Sequence, residues 1–144
     1  MTQQPKVVLI DWDEDLFAPR GWEAGFMARA GIQWEQGQWR DDESALAHMR
    51  DADVVIIQSM RKMLNARTIP QLHQCRGLIR AGIGYDNIDV AAATAAHILV
   101  SNVPNYCVEE VADHALALLL ACVRNLGRQD RTTHAGAWQR DLVK

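Results

Sequence analysis

The stretch LIRAGIGYDNIDVAAATAAHILV, residues 78–100, decides the fold. Residues 78–80 read as a short buried strand, 87–96 as a helix, and 98–100 as the next strand. Between them Arg80, Ala81, Gly82, Ile83 and Gly84 open a glycine-containing loop. Glycine permits positive φ and lets a ligand approach the backbone closely. A strand, a helix and a strand in so short a span make a right-handed crossover between parallel neighbours.

The same alternation extends toward the N-terminus. Residues 6–11 are an apolar run that breaks at acidic residues, the pattern of a buried parallel strand. Residues 19–30 read as a helix with Trp22, Phe26 and Met27 inward, closed by Gly31. A weaker strand follows at 32–35, then a helix at 41–50 that buries Ala45, Leu46 and Met49 and carries acids in its first turn. Residues 53–58 are the third strand, and a short helix is expected at 70–74, with Pro70 tolerable only near its start. The product is an α/β fold: a flavodoxin-like, doubly wound, parallel five-stranded sheet. Such sheets bind ligands beyond the carboxyl ends of their strands. That directs attention to the loops after Ile10, Ile57, Arg80 and Val100.

Beyond the fifth strand, residues 107–125 read as one long helix, apolar on nearly every side, with Gly127 as its C-terminal cap. A helix apolar all round must be covered on most sides, so it is expected to meet a second subunit or a further domain.

Bulk properties exclude several classes. The chain has 144 residues, 49% hydrophobic and 23% charged, with net charge −3. Its cations are scattered, which gives no nucleic-acid surface. Cys75, Cys107 and Cys122 lie far apart and suit neither a disulfide framework nor a metal site, so the expected location is a reducing cytoplasm. The N-terminus lacks the character of a signal peptide. The longest apolar run, 115–123, is far shorter than the ~20 residues that span a bilayer, so no membrane segment is expected.

The loop after Arg80 carries the chemistry. Consecutive N–H groups beside a helix start suit a small anion such as a carboxylate. A tight strand-to-helix turn capped by Asp86 or Asn87 fits the same residues. Gly82-Ile83-Gly84 imitates the opening of a dinucleotide fingerprint, but Asn87 stands at the third glycine position. Arg80 either meets an anion or pairs with a nearby acid. Asp11, Asp13 and Asp15 imitate a phosphoacceptor pocket, yet Gln58 and Asn102 stand where that pocket needs Asp and Lys. Cys107, at a helix start beside acids, reads as a passive residue rather than a nucleophile. The five tryptophans show no stacking spacing.

With Asn102-Val103-Pro104 and Glu109-Glu110-Val111-Ala112-Asp113-His114 added, the sequence resembles the D-isomer-specific 2-hydroxyacid dehydrogenase family. The resemblance is strong from Leu78 to Trp138. It is most similar to the bacterial members related to the C-terminal-binding proteins, within a phosphoglycerate dehydrogenase-like group. It implies an N-terminal portion of an NAD(P)-dependent oxidoreductase acting on 2-hydroxy and 2-keto acids. Residues 1–101 would be an incomplete substrate-binding domain. Residues 102–144 would be the crossover, a long interdomain helix and a dimerisation arm leading to an NAD-binding domain beyond this chain.

The resemblance further implies that Ala81, Gly82, Ile83 and Gly84 grip the substrate carboxylate, with Ser59, Arg80 and Cys107 at the cleft. Many members carry a basic residue where Gln58 stands, so a charged contact is expected to be lost. His97 stands where relatives have Gly, at a left-handed position. The homodimer would form through Val108–Val123 and the arm from Thr132 to Trp138. The family's catalytic Arg, Glu and His and its dinucleotide turn have no counterpart here. No catalytic residue is therefore expected in this chain, and no tight binding of NAD or NADP. The alternative is a stand-alone small-acid-binding or dimerisation module without redox activity.

Overall fold

The computed structural model describes residues 4–11, 21–58 and 60–137. Trp12, Asp13, Asp15, Ser59 and Trp138 lie outside them. The chain divides into two compact units, Met1–Pro104 and Asn105–Lys144.

The first unit is the expected doubly wound sheet. Five parallel strands, β1 (Lys6–Ile10), β2 (Gln33–Gly37), β3 (Val54–Ile57), β4 (Gly77–Arg80) and β5 (Leu99–Ser101), stand in the order β2-β1-β3-β4-β5. Between them run α1 (Trp22–Arg29), α2 (Asp42–Met49), a 3-10 turn at Ile69–Gln71 and α3 (Val90–Ala95). The register aligns Val8, Val55, Leu78 and Val100 in one row, and Ile10, Ile57 and Arg80 in another on the same face. Those two rows apart from Arg80, with Ala45, Leu46 and Met49 of α2, Ile69, Ile88 and Ala93, form much of the core, and Val100 is partly buried against it.

Local chemistry explains the element ends. Asp41 caps α2 by accepting from the Ser44 amide at 2.8 Å. Gly31, at φ 69°, turns the chain out of α1. His97 does the same before β5 at φ 57°, the left-handed position that the sequence suggested.

Several expectations need correction. Trp22 and Phe26 of α1 are 60% and 54% exposed rather than inward. The helix packs on β2, an edge strand, and finds little apolar surface there. The helix after the glycine loop starts at Val90, not 87, and its cap is Asp89, which accepts from the Ala92 amide at 2.9 Å. Asp86 and Asn87 instead form the turn before it.

The second unit holds α4 (Val108–Val123) and α5 (Leu126–His134). Gly127 is not the cap. Asn125 makes the break at φ 51°, and Gly127 sits inside α5. Asparagine tolerates the left-handed conformation better than other non-glycine residues. No residue of α4 is buried. No helix among the described residues is long and apolar enough to cross a membrane.

Candidate functional site

Ile57 and Arg80 are register partners at the carboxyl ends of β3 and β4, so the loops that leave them start side by side. Arg80 is buried, at 8% exposure. Its Nη1 donates to the Gln58 carbonyl at 2.9 Å, and more weakly to the Ile57 carbonyl at 3.5 Å. Its Nη2 lies 3.5 Å from the Met60 sulfur, and its buried Nε has no partner among the described residues. None of the ion pairs among these residues involves Arg80. Removing a cation from water costs several kcal/mol even after relaxation, and neutral carbonyls offset only part of it. The sequence left Arg80 between an anion and a nearby acid; in the structure it contacts main-chain carbonyls.

The guanidinium explains Gly82. A Cβ on Gly82 would stand 2.9 Å from Arg80 Nη1 and 3.0 Å from Cζ. Neither Gly82 nor Gly84 has positive φ. Of the two freedoms expected of these glycines, the left-handed backbone is unused, and close approach at Gly82 is to the Arg80 guanidinium.

The loop amides divide into two pairs. Ala81 N–H donates to the Ile57 carbonyl and Gly82 N–H to the Arg80 carbonyl, both at 2.9 Å. Those two are consumed within the fold. The next two have no acceptor among the described residues, and their direction is fixed from behind. The Gly82 carbonyl accepts from Val103 N–H at 3.1 Å. The Ile83 carbonyl accepts from Asn102 Nδ2 at 2.7 Å. In a trans peptide the carbonyl and the following N–H point opposite ways. Tying both carbonyls to the exit of β5 therefore turns the Ile83 and Gly84 amides away from it, as a pair of parallel donors. Two adjacent donors above a buried cation suit one carboxylate.

Hollows flank the residues that follow. One of about 210 Å³ is lined by Tyr85, Val90, Val100, Ser101 and Asn102. Another of about 280 Å³ is lined by Lys62, Asn65 and residues 86–89. Asp11, at the end of β1, is buried and sits 3.6 Å from Arg61 Nε. Cys107 opens α4 in the second unit and is half-buried. Asn102 and Val103 entered the sequence reading only as part of the family motif and against a phosphoacceptor pocket, and Met60 not at all; their contacts with the loop and Arg80 were not foreseen. The signal for Asn102 was a side-chain donor at the carboxyl end of the strand beside the loop.

The residues present do not fit a dinucleotide. Gly82 N–H is spent, Asn87 replaces the third glycine, and the loop leads through a turn to a helix of only six residues.

Known proteins place the chain in a family. The family model for the catalytic domain of D-isomer specific 2-hydroxyacid dehydrogenases matches residues 24–137. The D-3-phosphoglycerate dehydrogenase of Mycobacterium leprae is 36% identical over 109 residues, covering 76% of this chain and 20% of that protein. The glyoxylate reductase of Pyrococcus furiosus is 32% identical over 107 residues, covering 74% and 32%. Among solved structures, an acyclic imino acid reductase in complex with NADPH and D-Arg superposes with TM-score 0.80 at 27% identity, over 93% of this chain and 42% of that one. The chain thus spans between a fifth and a third of these two curated relatives.

Proposed function

Because the chain belongs to the D-isomer specific 2-hydroxyacid dehydrogenase family, we propose that it supplies the acid-binding part of an NAD(P)-dependent oxidoreductase that interconverts 2-hydroxy and 2-keto acids. The observation that carries this reading is the pair of outward amides, Ile83 and Gly84, on a loop whose Gly82 packs against the buried guanidinium of Arg80. The substrate carboxylate accepts from both amides. Arg80, packed against Gly82, stabilises it through its positive field. Ala81 and Gly82 shape the loop.

NAD or NADP supplies the redox chemistry of the complete enzyme. This chain's described residues hold no cradle for either, so its own part is to bind and orient the acid. Its partner is a second copy. Leu116, Leu118, Leu119, Leu120 and Val123 of α4 are all more than half exposed, an apolar surface larger than soluble monomers tolerate. The arm from Thr132 to Trp138 extends that contact.

The binding test is a titration of the isotope-labelled chain with glyoxylate, followed by NMR. The Ile83 and Gly84 amide resonances are expected to move, and those of Ala81 and Gly82 to move less. Unmoved Ile83 and Gly84 amides at saturating acid would overturn the reading. Mixed with NADH and glyoxylate, the same chain is expected to leave NADH absorbance unchanged; steady oxidation would show that it holds the redox site after all. In sedimentation at micromolar concentration it is expected to self-associate, and Leu119→Glu to shift it toward monomer.

A further inference from the structure

We infer that two copies of α4 pair antiparallel, and that opposite charges at the two ends of the helix set that orientation. This rests on the reading of α4 as the surface that meets a second copy. It goes one step further, to how the copies are oriented and which partner the surface accepts.

The observation is the order of charge along the second unit. α4 holds three carboxylates, Glu109, Glu110 and Asp113, all toward its N-terminal end, and no lysine or arginine. Arg124 is its C-terminal cap residue, and Arg128 and Arg131 follow on α5. Those last two are neighbours on one side of α5, since residues three apart on a helix lie side by side. All six charged side chains are exposed. Between the acids and the arginines lie Leu116, Leu118, Leu119 and Leu120, each more than half exposed. Along the helix the order is acid, apolar, base.

Within one copy the two charged groups do not meet. Asp113 and Arg124 stand about 16 Å apart along the helix axis, and exposed charges are screened within about 8–10 Å at ordinary salt. Among the described residues the one ion pair in this unit joins His134 to Asp130, at 3.3 Å, and leaves out the acids of α4 and all three arginines.

A second copy brings them together. Under a two-fold axis each contact occurs twice, with residue i on j and j on i. Two parallel copies of α4 would set the carboxylates of both at one end and the arginines of both at the other, with the helix dipoles side by side in the same sense. Like charges at close quarters repel. In the antiparallel pair the acids of each copy lie toward the arginines of the other, the leucines meet in the middle, and the dipoles oppose. Apolar burial is non-directional and does not choose between the two arrangements. Charge does. The same order of charge selects the partner, because a chain with one sign at both ends meets repulsion at one of them.

The test is sedimentation equilibrium of the full 144-residue chain over a series of salt concentrations. Wild-type self-association is expected to weaken at least tenfold between about 0.05 and about 0.5 M NaCl, as screened attraction requires. Arg124→Glu, Arg128→Glu and Arg131→Glu together are expected to weaken it by a similar factor at low salt, since acid then faces acid. In a parallel pair the same three changes would only exchange one like-charge contact for another. Wild-type association that salt leaves unchanged or strengthens overturns the antiparallel inference and leaves α4 as the surface that meets a second copy. So does a folded triple variant that associates as wild type does. A wild-type chain that stays monomeric at every salt concentration overturns both readings. The wild-type salt series decides the matter even if the triple variant fails to fold.

Discussion

Asn102 reaches back across 19 positions of sequence to hold the Ile83 carbonyl, and that bond fixes where the Gly84 amide points. The bond is exposed, so its loss should cost little stability. Asn102→Ala is expected to lower unfolding free energy by no more than about 1 kcal/mol, while glyoxylate binding weakens because the peptide plane is free to turn. Denaturant titration beside ligand titration separates the two effects; equal loss of both would make Asn102 a structural residue only. Arg80→Met offers the complementary case. Replacing a buried unpaired cation with a similar-sized apolar chain is often neutral for folding, whereas acid binding is expected to fall by about tenfold or more. A variant that binds glyoxylate as tightly as wild type would remove Arg80 from the site. The Gly-x-Gly loop was legible in the sequence as a place for an acid. Its working parts were not. Which amides stay open depends on β5 lying beside β4, and Gly82 lies against the guanidinium of an arginine two residues earlier.

At the scale of elements, α2 is strapped to the sheet by charge. Lys6 of β1 donates to Asp51 at 2.7 Å and to the His48 carbonyl at 3.0 Å, and it pairs with Glu35 of β2 at 3.1 Å. His48 contacts Glu35 and stacks on Trp39 with ring centroids 4.1 Å apart. Burial works against the charge on Lys6, but hydrogen bonds and attraction from Asp51 and Glu35 outweigh it and raise its pKa. The hydrogen bond from Lys6 holds the Asp51 carboxyl below its ordinary value, and hydrogen bonds from Arg67 and Asn65 do the same for Asp42. The two shifts act at opposite ends of the pH scale. A lowered carboxyl stabilises the fold above its unfolded pKa, and that stability is lost as pH falls through the folded value. A raised lysine stabilises below its unfolded pKa, and that is lost as pH rises through the folded value. The denaturation midpoint is therefore expected to be flat around neutrality and to fall below about pH 4 and above about pH 10. Lys6→Met should flatten the alkaline side; an unchanged alkaline limb would show that the strap contributes nothing. The strands and α2 were legible because their apolar residues recur with period and their caps are chemical. The inward face of α1 was misread, since periodicity shows that a helix has an apolar side but not whether the sheet beneath offers anything to cover it. The break at Asn125 was missed for a related reason: Gly127 is the residue type that favours a left-handed turn, but the turn fell on an asparagine two places earlier.

The whole first unit is lopsided, and handedness is the cause. In the order β2-β1-β3-β4-β5 one connection steps toward β2, while three step the other way or carry the chain across to that side. Right-handed crossovers then place one helix, α1, on one face, and α2, the 3-10 turn and α3 on the other. The second face is closed: Val8, Ile10, Val55, Ile57 and Leu78 are buried there. On the first face Val7 and Leu9 of β1 are buried, but away from β1 Val54, Ile56 and Ile79 are only partly covered, and Leu99 is 78% exposed. Parallel sheets are normally covered on both sides, so substitutions at adjacent positions of one strand should differ sharply. Leu78→Ala, on the closed face at 0% exposure, is expected to cost about 2–5 kcal/mol, the range for a large aliphatic side chain removed from a packed core. Ile79→Ala, on the half-open face, is expected to cost roughly half as much or less, because water already reaches the site and the transfer loss scales with the area removed from it. Urea denaturation of the two variants at equal slope measures the difference. Equal losses would mean that in solution the open face is covered as fully as the closed one.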